Sequence, residues 1–576
     1  MMKNILKIFL LLPACIGFLS CENFLTAEEE NVFQRDLIEN NSAFAQGVLI
    51  NGYSRMFSAY QFEDVATDDA VTNDLTNGGN NYANFRRAAT GEWSPFFDPT
   101  NIWNNSYNAI GNINYFLTFA DGKEWSYQYP ERDKLYKERF PAEARALRGY
   151  HYLALLSRYG GIASDGSLLG VPVTTTHLTS DDNWKIPRSS FQATLDQIYA
   201  DLDYAITNLE YRFLPNDPNI DGDSLWVYGI TTNRGRISGE IAKALKARAA
   251  LLSASPAYNN GNYDTEKARL AATIAGELLK DFGGIGAFPP DRNFWDNDND
   301  VDNPDIMWRR NHGNNRTLEV DNFPPTLYGR GRINPTQNLV DAFPMKNGYP
   351  ITDPKSGFDP ANPYANRDDR LGMNIIVNGA SYKSSAINTA TDSPNNNGLN
   401  KQPQYSTRTG YYLKKLMREN INLNPTSMTD ARHFYTYIRW TEIYMIYAEA
   451  ANEAWGPDAD PNGYGFTARD IIAKVRSRGG ITQPDEYLES ITSKEDMRTM
   501  IRNERRLEFC FEGLRFWDLR RWAMPLNTTA KGTSITAGVH TIIDVESRDF
   551  QPYMIYCPIP YAEVLKYPEL IQNKDW

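Results

Sequence analysis

Helical periodicity in this chain comes in paired blocks, and long stretches with no period separate them. Between Pro141 and Tyr159, Leu147, Tyr150, Leu153, Ala154 and Leu156 share one helical face, and Gly160-Gly161 stops the run. Ile241, Leu245, Ala249 and Leu252 repeat at the same spacing until Ser255-Pro256 breaks it. Trp440, Tyr444, Tyr447, Ala448, Ala451 and Trp455 form a third stripe. Shorter helices are predicted over 103–119, 190–210, 264–281, 466–478 and 494–512. Stripes that set Ala against Tyr or Trp pack as helical hairpins of the tetratricopeptide type do, although no 34-residue repeat is visible. Periodicity alone leaves an irregular helical domain equally open.

The intervening segments, 60–100, 212–236, 283–336, 347–410 and 525–552, are rich in Asn, Asp, Gly and Pro. Loops this long in an ordered domain usually carry function. The expected fold is therefore mostly α: a helical scaffold with a long irregular loop layer and little β structure. The 34 Tyr, 27 Phe and 12 Trp suit either a packed helical array or a carbohydrate-facing surface.

The first twenty residues read as an address. Lys3 and Lys7 precede an apolar run from Ile8 to Leu19, too short for the roughly 20 residues that span a bilayer. It ends in Phe18-Leu19-Ser20-Cys21, which resembles the lipobox of bacterial lipoproteins, whose cysteine takes a diacylglyceryl group. Cys21 is thus the expected lipid attachment point, and two or three acyl chains hold a protein durably. Removing Lys3 and Lys7 takes the formal charge from −12 to −14, an acidic balance that argues against nucleic acid as a partner. Cys510 and Cys557 are expected as buried free thiols, with a bridge as the alternative.

Catalytic signatures are missing: there is no H-E-x-x-H, G-x-S-x-G, P-loop or Rossmann glycine pattern, and the five histidines lie far apart. Glu504, Glu508 and Glu512 share a helical face, but Arg502, Arg505, Arg506, Arg515, Arg520 and Arg521 surround them. Guanidiniums depress carboxylate pKa values, so a bracing ion-pair network is expected rather than a general acid. Asp296, Asp298 and Asp300 alternate as weak calcium candidates; lacking the EF-hand glycine and Glu, they read better as a solvated turn. No cofactor is expected apart from that possible structural calcium.

The segment Arg502-Asn503-Glu504-Arg505-Arg506-Leu507-Glu508-Phe509 through Gly513-Leu514-Arg515-Phe516-Trp517-Asp518-Leu519-Arg520-Arg521-Trp522 closely resembles the signature of the SusD/RagB family of outer-membrane nutrient-binding lipoproteins. Asn334 to Phe343, Arg439 to Glu453 with Tyr447-Ala448-Glu449-Ala450, and the ending from Pro558 to Trp576 agree in order. The resemblance implies a mostly helical array of four tetratricopeptide-like units. It implies a lid on a SusC-like TonB-dependent β-barrel transporter, tethered to the outer membrane by lipid and facing the cell exterior. It implies capture of an oligosaccharide, or for some members a peptide, without covalent chemistry. The layout that follows is a signal peptide over 1–20, a flexible leader over 21–35, and one SusD-like domain over 36–576, with parts 36–330 and 331–576.

Family signatures are scaffold motifs, so ligand residues have to be argued from chemistry. Sugars present C–H faces to Trp and Tyr and hydroxyls to planar polar groups. Within 60–100, Asp64, Asp68, Asp69 and Asp74 with Arg86 and Trp93 meet that pattern. Further along come Trp295, Trp308 and Tyr328, then Arg367, Asp369 and Arg370. Each aromatic can equally be a buried anchor of its loop; Trp93 and Trp308 are the leading candidates. The rival functions are a peptide-binding protein on the same scaffold, a lipid-anchored glycoside hydrolase and a protein-binding helical adaptor.

Overall fold

Amphipathic stretches become helices, and successive helices bury their apolar stripes on one another. The computed structural model describes residues 39–76, 79–125, 130–214, 219–220, 222, 225, 229–290, 293–295 and 303–576. Cys21, the signal and leader, and Asp296, Asp298 and Asp300 lie outside the described residues. The main helices are α1 (Ser42–Ser54), α2 (Trp103–Ala120), α3 (Pro130–Tyr159), α4 (Phe191–Asn208) and α5 (Gly239–Ala254). They continue as α6 (Thr265–Phe282), α7 (Trp440–Trp455), α8 (Ala468–Arg478), α9 (Lys494–Phe509) and α10 (Arg515–Arg521).

Local chemistry sets where they start. Ser190, Ser238, Asp264 and Ser493 each cap a helix N-terminus through a side-chain oxygen, and Thr467 with Asp470 forms a capping box. α2 packs on α3, α3 on α4, α4 on α5, α5 on α6, α6 on α7, and α7 on α8 and α9. Small residues make this close approach possible: Ala244, Ala247 and Ala250 of α5, Ala271 and Ala275 of α6, and Ala448 and Ala451 of α7 are all fully buried. At Gly276 of α6 a β-carbon would come within 2.2 Å of the Tyr464 ring, so only glycine fits. The fold is mostly α, a tetratricopeptide-like array with little strand. One hydrophobic cluster runs through it from Ala45 to Leu570.

Three departures from the periodicity are informative. Helix α3 begins at Pro130 and keeps Pro141 in its interior. Tyr136 and Phe140, stacked at 4.5 Å, pack with Trp125 and Phe116 and hold the first turns in place. Segment 283–336 contains strand β2 (Ile306–Asn315), which pairs antiparallel with β4 (Ala431–Arg439). Short strands β1 (Ala70–Thr72) and β3 (Ile333–Pro335) pair likewise. Segment 525–552 contains a hairpin, β5 (Ala530–Thr536) and β6 (Val539–Glu546), turning through Ala537 and Gly538 at positive φ. Among the described residues no helix is long and apolar enough to cross a membrane.

His151 sits inside α3 with 1% of its surface exposed, its Nε2 3.0 Å from the Gly52 carbonyl. Burial holds the imidazole down at about 4. The unfolded chain takes up this proton below the ordinary histidine value, so the stability it confers is present above about pH 6.5 and is lost as pH falls toward 4. His151→Gln, which keeps a donor to the carbonyl, is expected to flatten the decline in unfolding midpoint between pH 6.5 and 4. The difference should reach up to about 3 kcal/mol at the acid end. Parallel pH profiles for the two proteins would refute this.

Candidate functional site

The loop after α1, the N-terminal end of the short helix Asn81–Arg87, and the β2–β4 ribbon enclose a cavity of about 510 Å3. That lies within the roughly 300–1,000 Å3 of small-molecule sites. Tyr60, Phe62, Tyr82, Trp295, Phe434 and Tyr435 supply aromatic walls. Phe62 stacks on Tyr82 with ring centroids 5.6 Å apart, and Tyr60 meets Tyr435 edge-on at 4.8 Å. Asn80, Asn81, His312, Asn315, Asp321 and His433 add planar polar groups.

Two lining residues adopt a backbone conformation that bulky side chains rarely take: Phe62 at φ 59° and Leu416 at φ 70°. Such strain costs about 1–3 kcal/mol per residue and gathers at functional sites. The irregular register of β2–β4 around Arg432 and Phe434 turns His433 onto Glu319, with Nε2 3.0 Å from Oε1. His312 Nε2 has no hydrogen-bond partner, and burial lowers the pKa of its ring. Tyr82 Oη reaches Asp321 at 3.5 Å, and burial raises the pKa of both groups.

The cavity wall leads onto exposed aromatics. Asp321 faces Arg330 at 3.5 Å, and Tyr328, 57% exposed, precedes Arg330 on the same loop. Asn73 Nδ2 donates to the carbonyls of Arg330, Gly331 and Ser406, tying this loop to the one carrying Tyr405, which is 39% exposed.

The residues picked from sequence fare unequally. Trp295, 8% exposed, lines the cavity, and Tyr328, 57% exposed, is not among the lining residues. Trp93 does not face solvent. It is 3% exposed among Phe516, Phe550 and Trp576, with Nε1 donating to Asp98 at 2.9 Å. Trp308 is 1% exposed, against Tyr150 and Tyr437, and donates to the Gly235 carbonyl at 2.8 Å. Trp93 anchors its loop and Trp308 anchors strand β2, because an indole with its N–H satisfied indoors gains most from full burial. Asp68 is held by Arg506 and Arg515, and Asp69 by Arg506. Arg86 pairs with Glu546 at 2.8 Å. Arg370 is buried between Asp368 and Glu504 at 2.6 and 2.7 Å. These charged groups brace the scaffold, and none of them lines the cavity.

The glutamate row is indeed an ion-pair network, with partners other than its sequence neighbours. Glu504 meets Arg370 and Arg476, Glu508 meets Arg478 and Arg439, and Glu512 meets Lys415 and Arg439. Burial pushes Glu508 up, but Arg478, Arg439 and Arg370 outweigh it and hold the carboxyl down at about 2. The neighbouring arginines reach elsewhere, Arg505 to Asp518 and Arg521 to Glu449. Asp305, beyond the acidic loop, bonds Arg439 at 2.5 Å, and no cluster of three or more metal-ligating side chains occurs among the described residues. Cys510 and Cys557 are separate buried thiols, both pushed up to about 12 by burial.

The residues missed in the sequence are Tyr60, Phe62, Tyr82, Phe434, Tyr435 and the two histidines. The run Phe434-Tyr435-Thr436-Tyr437 carried a strand signal, since aromatic and β-branched residues favour strands. Nothing local tied it to 60–82.

Comparison with known proteins places the fold. Residues 295–576 match the family described as "SusD family", and residues 23–219 match "Starch-binding associating with outer membrane". No curated protein matches in sequence. A SusD-like protein from Bacteroides fragilis NCTC 9343 is 23% identical with a TM-score of 0.72, over 94% of this chain and 98% of its own. A SusD-like carbohydrate binding protein from the same strain is 20% identical at 0.70, covering 93% and 100%. A laminarin binding SusD-like protein is 20% identical at 0.57, covering 93% and 100%. At these identities the structures share the fold. The two family matches, taken with the helical array and the signature at 502–522, establish that this chain belongs to the SusD/RagB family.

Proposed function

We propose that this protein captures an oligosaccharide in the cavity between the 60–82 loops and the β2–β4 ribbon. The observation that carries this reading is six aromatic side chains and six planar polar ones around one space of about 510 Å3. Rings stack on sugar C–H faces while amides, imidazoles and a carboxylate take hydroxyls. The starch-binding description of the N-terminal match and the carbohydrate-binding and laminarin-binding structural neighbours support it. In this proposal the protein binds without turnover, and the glutamate row that most resembled a catalytic set lies outside the cavity, with Glu508 held ionised by arginines. In the same proposal Cys21 carries lipid in the outer membrane, the protein faces the cell exterior, and it hands its ligand to a SusC-like TonB-dependent barrel as a lid.

Titration calorimetry against a panel of oligosaccharides tests the site. Tyr60→Ala is expected to weaken the best ligand by about 1–3 kcal/mol, the scale of uncovering one aromatic face, with the ligand recovered unchanged. Unaltered affinity would remove the cavity from the site. Hydrolysis products would favour the glycoside hydrolase, and binding of peptides alone would favour the peptide-binding alternative. Co-purification with a large β-barrel from detergent-solubilised membranes tests the partnership.

A further inference from the structure

The charge pattern around the cavity narrows what it can accept. Among the described residues that line it there is no lysine and no arginine. Arg309 packs its guanidinium on the outer side of the wall, 5.3 Å from the Phe434 ring, and Arg310 lies near enough to His312 to help lower its pKa, but neither lines the cavity. Three other cations nearby are paired with carboxylates. Arg332 pairs with Asp74 at 3.0 Å, and Lys415, behind the Trp295 ring, bonds Glu512 at 2.7 Å. Arg330, at the rim, faces Asp321. Any proton on His433 faces Glu319 at 3.0 Å, so the pair presents no net positive charge to a ligand. The remaining groups are uncharged: Asn80, Asn81, Asn315, Thr317, His312 and the tyrosine hydroxyls.

From this, and resting on the glycan-binding reading above, we infer that the cavity selects uncharged saccharides and rejects those bearing carboxylate or sulfate groups. A glycan anion entering here loses hydration with no guanidinium or ammonium to replace it, and buried unpaired charge is strongly disfavoured. The net charge of −12 opposes approach of an anionic polymer at low ionic strength. Amides and hydroxyls, in contrast, match neutral hydroxyls one for one.

The test uses the full chain in detergent on an array of neutral oligosaccharides and the same backbones carrying uronate or sulfate groups. Calorimetry then compares the strongest neutral ligand with its carboxymethylated derivative at low and at about 150 mM salt, where screening acts over roughly 8 Å. The expected result is neutral ligands only, with the derivative bound at least tenfold more weakly at both salt concentrations, because the exclusion is local. Asn315→Lys, which puts an ammonium on the cavity wall, should reduce that discrimination at least threefold. Anionic ligands dominating the array, a derivative bound within threefold of its parent, or discrimination unmoved by Asn315→Lys would each overturn the inference. If anionic glycans bind and Tyr60→Ala weakens them, the glycan reading stands and only this inference fails. If no glycan binds, the reading itself falls and takes this inference with it.

Discussion

Arg439→Met is expected to destabilise the protein by about 3–5 kcal/mol, the scale for breaking a buried ion pair from one side. The Arg439 guanidinium is 3% exposed and bonds Asp305 at 2.5 Å, Glu512 at 2.8 Å and Glu508 at 3.3 Å. It lies between the rings of Phe294 and Phe509, at 4.5 and 4.7 Å. Methionine keeps the apolar stem against both rings, so the substitution removes charge and leaves packing. The Asp305 carboxylate, fully buried, would retain only its bonds from Thr441. The network already holds Asp368, Asp485, Glu504, Glu508 and Glu512 against Arg370, Arg476, Arg478 and Lys415. Losing one cation therefore leaves carboxylates in clear excess. The thermal midpoint should fall by roughly 3–5 °C. Asp305→Asn added to Arg439→Met should recover part of the loss. A midpoint within 1 °C of the parent would show that the network contributes nothing.

Trp93→Ala should cost about 3–5 kcal/mol of stability, as large-to-small changes at buried aromatic positions do. The ring touches Phe516 and Phe550, each at 5.9 Å, and Trp576 at 5.3 Å, with the Arg520 guanidinium 4.9 Å from its centroid. Its removal opens a cavity where α10, the 550 segment and the chain end meet, and leaves Asp98 without the indole donor. Chemical denaturation measures the loss, and calorimetry below the transition should find glycan affinity within twofold of the parent. Lost binding with stability intact would put Trp93 back in the ligand site.

The contrast between Trp93 and Trp295 shows where sequence reasoning stops. Both are tryptophans in Asn- and Asp-rich segments, and the chemistry that makes indole a sugar platform also makes it a core anchor. Trp93 has Asp98 five residues on to satisfy its N–H, and three aromatics that are hundreds of residues away in the chain to cover it. Only the second fact decides burial. The carboxylates read similarly. That Glu504, Glu508 and Glu512 would meet guanidiniums was legible, because an α-helix puts i, i+4 and i+8 on one face. That Arg370, Arg439, Arg476 and Arg478 would supply them, while Arg505 and Arg506 turned to Asp518 and Asp69, was not.

The strands tell the same story at the level of the backbone. The hairpin at 530–546 had a local cue in its two-residue turn and β-branched runs, and could have been read. The β2–β4 ribbon had none that joined its halves, since Asn315 and Ala431 pair across more than a hundred residues.

By itself the sequence determined the helical array, through apolar residues recurring at helical spacing and capping residues at helix starts, and the family, through the signature at 502–522. These are local properties, carried by residues within a turn or two of each other. The tertiary structure alone decided which aromatics line a cavity and which fill the core. Tyr60, Tyr82 and Tyr435 converge from segments separated by more than 350 residues, held there by the pairing of β2 with β4 and by strained turns at Phe62 and Leu416. Exposure is a property of the whole packed chain, and no single segment encodes it.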